Sequence, residues 1–194
     1  NDEYALKYAS GRLKCDREIV LAAVKHSGVA FKYAGDELKS DREIVLTAVE
    51  NDGYALKYAS GRLKCDREIA LTAVKNNGSA LQYVSDELRG NREIVLTALK
   101  NNVRCLEYAD DELKNDRELV LIEVKESWEA LKYASGDLRS DREIVLSAVR
   151  QNGSALQYVS DELRGNREIA LTAVTNGRLF VLRQVSDELK SDRE

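Results

Sequence analysis

The chain has 194 residues, a third of them charged, with 30 Lys and Arg against 34 Asp and Glu and a net charge of −4. A balance this close to neutral excludes a polybasic tail and argues against binding to a phosphate backbone, whose footprint is basic. Proline and methionine are absent, and apolar runs such as Ile19–Val24 stop far short of the roughly 20 residues that span a bilayer.

Arg-Glu pairs begin at Arg17, Arg42, Arg67, Arg92, Arg117, Arg142 and Arg167, each 25 residues after the last, and once more at Arg193 after 26. Residues 1–16 read as the back part of a preceding unit. Seven units follow at 17–41, 42–66, 67–91, 92–116, 117–141, 142–166 and 167–192, and a further one starts at 193–194. The expectation is a single repeat array over 1–194. Asn1 is not an initiator, so the sequence is read as a processed product or a module of a larger chain.

Within each unit the first predicted element follows an Asp or Asn (Asp16, Asp41, Asp66, Asn91, Asp116, Asp141, Asn166, Asp192) that can cap the free amides of a helix. The Glu of each Arg-Glu pair then falls in the first turn, where the helix dipole favours a negative charge. Ile19, Val20, Leu21, Ala23 and Val24 cover an arc of roughly 200° at a 3.6-residue period, which fits a helix flanked on both sides by copies of itself. Asn- and Asp-rich residues and then Gly28, Gly53, Gly78 or Gly153 predict a helix stop with glycine in a left-handed C′ position. A second short helix carries Ala30, Phe31, Tyr33 and Ala34 or their equivalents, and a polar turn leads to Leu13, Leu38, Leu63, Leu88, Leu113, Leu138, Leu163 and Leu189. Neither helix is long enough to be stable alone, so stacking must supply the core. The fold class expected is all-α, an α-solenoid (superhelix) of 25-residue repeats of two short helices.

Exact copies reinforce the reading. YALKYASGRLKCDREI occurs at 4–19 and again at 54–69, and NGSALQYVSDELRGNREI at 77–94 and 152–169. The shared pattern D-R-E-[IV]-V-L-x-A-V-x-x-N-G-x-A-L-x-Y-[AV]-S-x-x-L-[KR] resembles the repeat family known as domain of unknown function 4116, over essentially the whole chain. Departures are Val103 and Trp128 at the glycine position, Glu123 at an alanine position, and the irregular last unit, Arg167–Asp192. The resemblance implies arrays of this unit and supplies no activity, cofactor or catalytic residue.

The recurring polar residues read as structure. An Arg at each helix start, followed by Glu, predicts a ladder of pairs between adjacent repeats. Tyr8, Tyr33, Tyr58, Tyr83, Tyr108, Tyr133 and Tyr158 share one position beside the apolar stripe and predict a ring ladder with hydroxyls at its rim. His26 is the only histidine and, with no cysteine pair at metal spacing, gives no zinc site. Cys15, Cys65 and Cys105 form no disulfide framework, which favours a reducing, intracellular compartment. No P-loop, GxSxG, HExxH or EF-hand spacing occurs. Any acid-base pair would recur in every unit, so the reading is no enzyme and no cofactor.

Departures from the repeat carry the candidate site. Val103, Arg104 and Cys105 replace Gly-Ser-Ala, Ile122 and Glu123 replace Thr-Ala, and Trp128 and Glu129 replace Gly-Ser. An aromatic anchor in such a patch suits a protein interface. Trp128, Glu123, Arg104, Glu129, Ile122 and Val103 are therefore the candidate partner-binding residues. The last unit, with Gln184 in place of the ladder tyrosine, reads as a kink or imperfect cap. The function expected is a non-enzymatic scaffold binding a protein or peptide partner; a structural subunit of a large assembly is the alternative, and nucleic-acid binding a third.

Overall fold

In the computed structural model, residues 5–101, 104–177 and 179–186 are described. The fold is an all-α tandem repeat, with no strand among the described residues. The chain divides into two compact units, Asn1–Asp110 and Asp111–Glu194. The division falls inside the stretch 103–129 where the repeat is least faithfully copied.

Each repeat opens with a ten-residue α-helix: Arg17–His26, Arg42–Asn51, Arg67–Asn76 and Arg92–Asn101 in the first unit, Arg117–Glu126 and Arg142–Gln151 in the second. Arg167–Thr175 is one residue shorter. The predicted caps hold. The Asp41 side chain accepts from the amides of Glu43 at 3.0 Å and Ile44 at 3.2 Å, and Asp16, Asp66, Asp116, Asp141 and Asn166 do the same one or more repeats away. Ile44, Val45, Ala48 and Val49 are fully buried, because neighbouring copies of the helix lie on both sides.

The second element is a 3-10 helix, not an α-helix: Gly28–Tyr33, Gly53–Tyr58, Gly78–Tyr83 and Gly153–Tyr158 each run six residues. Its interior residues recur every three positions, as in Gly28, Phe31 and Ala34, or Gly53, Leu56 and Ala59, all buried. Three residues per turn put such a series on one edge, which wedges between the α-helix of its own repeat and that of the next. A third short turn follows, an α-turn at Gly61–Lys64 or a 3-10 turn at Leu38–Ser40.

The glycines depart from expectation. None of those described has a positive φ, so they are not left-handed helix stops. Asp52, in the extended region, instead caps the 3-10 helix through its side chain, which accepts from the Tyr54 amide at 2.9 Å. Glycine is required by close approach: a Cβ on Gly28 would sit 2.6 Å from the carbonyl oxygen of Ala48 in the following helix. At Gly53 and Gly153 the same atom would meet the carbonyls of Ala73 and Ala173 more closely still.

Adjacent repeats are tied by a backbone hydrogen bond that recurs once per repeat. The amide of Ser60 donates to the Lys39 carbonyl at 2.9 Å, Ser85 to Lys64 at 3.1 Å, Ser135 to Lys114 at 3.1 Å and Ser160 to Arg139 at 3.2 Å. In the last repeat Leu179–Gln184 is again a 3-10 helix against Arg167–Thr175. Its extra residue falls between Val181 and Val185, which are both buried and four apart where Leu156 and Val159 are three apart. Leu189, Asp192 and Arg193 lie outside the described residues.

Candidate interaction surface

The arginine row is consumed by the fold. Arg17 Nε donates at 2.7 Å to Asp41, the cap of the following α-helix, and its terminal nitrogen at 2.5 Å to Glu43 in the next repeat. Arg42 pairs with Asp66 and Glu68 in the same way, and Arg117 with Asp141 and Glu143. Where Asn91 and Asn166 replace the capping Asp, Arg67 and Arg142 keep Glu93 and Glu168. The hydrogen bond from Arg17 holds the Asp41 carboxyl below the usual aspartate range. At Asp66 and Asp141 burial pulls the other way, and the bonds from arginine and from the first-turn amides outweigh it. A ligand would have to compete with two carboxylates at Arg17, Arg42 and Arg117 and with one at Arg67 and Arg142.

The candidate residues are distributed unevenly. Glu123 is 1% exposed, because its helix position is that of the buried Ala48, Ala73, Ala98 and Ala148. Burial takes it out of any partner-facing surface. Trp128 is half-buried and stacks on Tyr158 of the next repeat, ring centroids 6.3 Å apart at 25°. Ile122 is half-buried, Glu129 is exposed, and Arg104 is exposed in the first unit. Val103 lies outside the described residues. Cys15 and Cys65 are exposed free thiols, and Cys105 is buried.

The tyrosine row is half-buried from Tyr33 to Tyr158, while Tyr8 is 76% exposed. In the first unit it borders a pocket of about 340 Å³ lined by Gly28, Val29, Lys32, Tyr33, Asp52, Tyr54, Ala55 and Tyr58. Tyr54 meets Tyr83 edge to face, centroids 5.0 Å apart. Lys57 Nζ stands 5.7 Å from the Tyr54 ring, 5.8 Å from Tyr58 and 5.9 Å from Tyr83, and Lys32 Nζ 5.6 Å from Tyr33. Burial and a hydrogen bond with Tyr54 push the Tyr83 hydroxyl well above the ordinary tyrosine range. Sequence reasoning passes over this group, since it treats the tyrosines as core. The available signal is Tyr54, an aromatic at a position that is Tyr again only at Tyr4 and otherwise Val29, Ser79, Arg104, Glu129 and Ser154.

Fold and surface together define an all-helical tandem-repeat protein whose conserved-looking polar rows serve repeat-to-repeat contacts. The family model described as "Domain of unknown function (DUF4116)" matches residues 1–39, 41–89, 91–139 and 141–190, and the chain belongs to this family. Each full match holds two of the 25-residue units. Comparison with curated proteins and with solved structures gives no match. No helix among the described residues is long and apolar enough to cross a membrane.

Proposed function

We propose that the chain is a non-enzymatic scaffold whose repeats present an extended surface to protein or peptide partners. One observation carries the reading: interior and inter-repeat residues recur, whereas the exposed ones vary. Lys25, Glu50, Lys75, Lys125, Arg150 and Thr175 share one exposed position. Val29, Tyr54, Ser79, Arg104, Glu129 and Ser154 share another that is exposed or half-exposed. A constant frame with a variable face is the arrangement by which helical repeats recognise partners. Catalysis fits poorly, because the ionisable rows are repeated and mutually neutralised.

Affinity capture from the native source on the immobilised chain, with a Trp128→Ala and Glu129→Ala variant in parallel, tests this reading. The expected result is a partner eluting with the intact chain at a fixed stoichiometry. A chain that retains no polypeptide and passes through size exclusion alone in the same extract would sink it.

A further inference from the structure

We propose that the pocket between the 3-10 helices Gly28–Tyr33 and Gly53–Tyr58 receives an extended acidic peptide, a site that rests on the scaffold reading above. Its walls are the rings of Tyr33, Tyr54 and Tyr58 with Val29, and its floor is Gly28 and Ala55. About 340 Å³ is at the small end of ligand sites, room for one or two side chains of a longer partner. Lys32 lines the pocket and Lys57 stands over the Tyr54 and Tyr58 rings that wall it; both are exposed. A lysine over an aromatic face keeps its outward N–H donors and so offers a held positive charge to a carboxylate.

The repeat sets the spacing of that charge. Neighbouring helical layers lie about 8–10 Å apart, and three residues of extended chain cover about 10 Å. Lys32 and Lys57 occupy one position in successive repeats, so they match carboxylates three residues apart on an extended peptide. An aromatic or aliphatic side chain between them meets the tyrosine walls.

Two observations favour a peptide over a single-stranded nucleic acid. The unit Asn1–Asp110 carries 17 Lys and Arg against 17 Asp and Glu, and Arg17, Arg42 and Arg67 are already paired. The pocket also contains a carboxylate, Asp52, whose Oδ1 accepts from the Tyr54 amide; a nucleic acid with a charge on every nucleotide cannot avoid it, whereas a peptide with carboxylates three residues apart sets an uncharged residue there.

The site is not a property of every repeat. At the corresponding place in the second unit, Ser154 stands for Tyr54, Gln157 for Lys57, Asn152 for Asp52 and Glu129 for Val29. One aromatic wall and one ammonium are lost there, and the carboxylate moves from the position of Asp52 to that of Val29. The same comparison supplies well-tolerated variants: Tyr54→Ser, and Lys32→Gln with Lys57→Gln, each introduce what sister repeats already carry.

The test is fluorescence anisotropy with a labelled nonapeptide bearing Glu at every third position around a central Phe, circular dichroism confirming that each variant is folded. Wild-type chain is expected to bind, and both variants to bind about tenfold or more weakly. A Lys-for-Glu version of the peptide is expected not to bind. Equal binding by wild type and variants, no binding by wild type, or tighter binding of an oligothymidylate than of the peptide would each overturn the site. If both variants still retain a partner captured from the native source, the site is overturned and the scaffold reading stands.

Discussion

The amide of Gly53 donates to the side-chain oxygen of Asn76 at 2.9 Å, and the Asn76 side-chain nitrogen donates to the Glu50 carbonyl at 2.9 Å. One side chain thus closes the end of the preceding repeat's α-helix and anchors the start of its 3-10 helix. The two positions vary together along the chain. Gly28, Gly53, Gly78 and Gly153 are followed 23 residues later by Asn51, Asn76, Asn101 and Asn176, whereas Glu3, Val103 and Trp128 are followed by His26, Glu126 and Gln151. Asn76→Ala should cost about 1–3 kcal/mol, by leaving two backbone groups unpaired. Gly53→Ala should cost at least as much, since its methyl group overlaps the Ala73 carbonyl. Urea denaturation reads both, and a neutral Gly53→Ala would refute the close-approach explanation.

Asp41 gives a pH prediction with a definite sign. Its carboxyl is held below the ordinary value by Arg17, so the stability it contributes is present above the unfolded value of about 3.9 and is lost as pH falls through the folded one. Asp41→Asn keeps the cap, as Asn91 and Asn166 do, and removes the titration. The variant should lose less thermal stability than wild type between pH 5 and pH 2.5. Identical acid sensitivity of the two proteins would place the acid-labile group elsewhere.

Much of the frame is legible in the sequence because its signals are periodic and local. The Asp caps, the arginine ladder and the helical repeat follow from residue type and spacing. The second short helix is legible as a helix, and its 3-10 form lies in the three-residue spacing of Gly53, Leu56 and Ala59. The reason for the glycines is not local: it lies in the carbonyl of the next helix, 20 residues along. Likewise the Ser60–Lys39 bond uses backbone atoms that no side-chain pattern marks. At the candidate surface Trp128 and Glu123 stand out as departures, yet only packing shows that one is stacked and the other interior.

The serines that open the third turn separate two roles at one position. The Ser135 hydroxyl oxygen accepts from the Leu138 amide at 3.3 Å, and the hydroxyl lies 2.6 Å from Asn115. The Ser60, Ser85 and Ser160 hydroxyl oxygens are enclosed and make no hydrogen bond among the described residues. Ser135→Ala should therefore destabilise by about 0.5–2 kcal/mol, while Ser60→Ala should be neutral or slightly stabilising. Equal losses at both sites would show that the Ser60 hydroxyl has a bond of its own.

Leu56 and Leu182 test how burial is distributed. Leu56 is fully buried between two repeats, and its truncation to Ala should cost about 2–5 kcal/mol. Leu182 is 46% exposed and its truncation should stay within about 0.5 kcal/mol of wild type. Hydrogen exchange after Leu56→Ala should rise first in the helices Arg42–Asn51 and Arg67–Asn76, because the 3-10 helix Gly53–Tyr58 packs on both. A loss spread evenly over the chain would contradict that local coupling.

Trp128 and Tyr158 supply a spectroscopic check on the second unit. Trp128 is the one tryptophan in the chain, so its emission needs no assignment. The indole lies at 25° to the Tyr158 ring and is half-buried, with the rest of its surface open to water. Replacing Tyr158 by Leu keeps an apolar side chain but removes the stacked face, and should cost about 0.5–1.5 kcal/mol. Emission should shift to the red, and quenching by acrylamide should rise as water reaches the uncovered face. Trp128→Gly restores the residue of four sister repeats, yet Gln151 in place of Asn leaves the partner position unmatched. The double change Trp128→Gly with Gln151→Asn should therefore be more stable than Trp128→Gly alone. If the second substitution adds nothing, the covariation of these positions does not arise from the contact seen between Gly53 and Asn76.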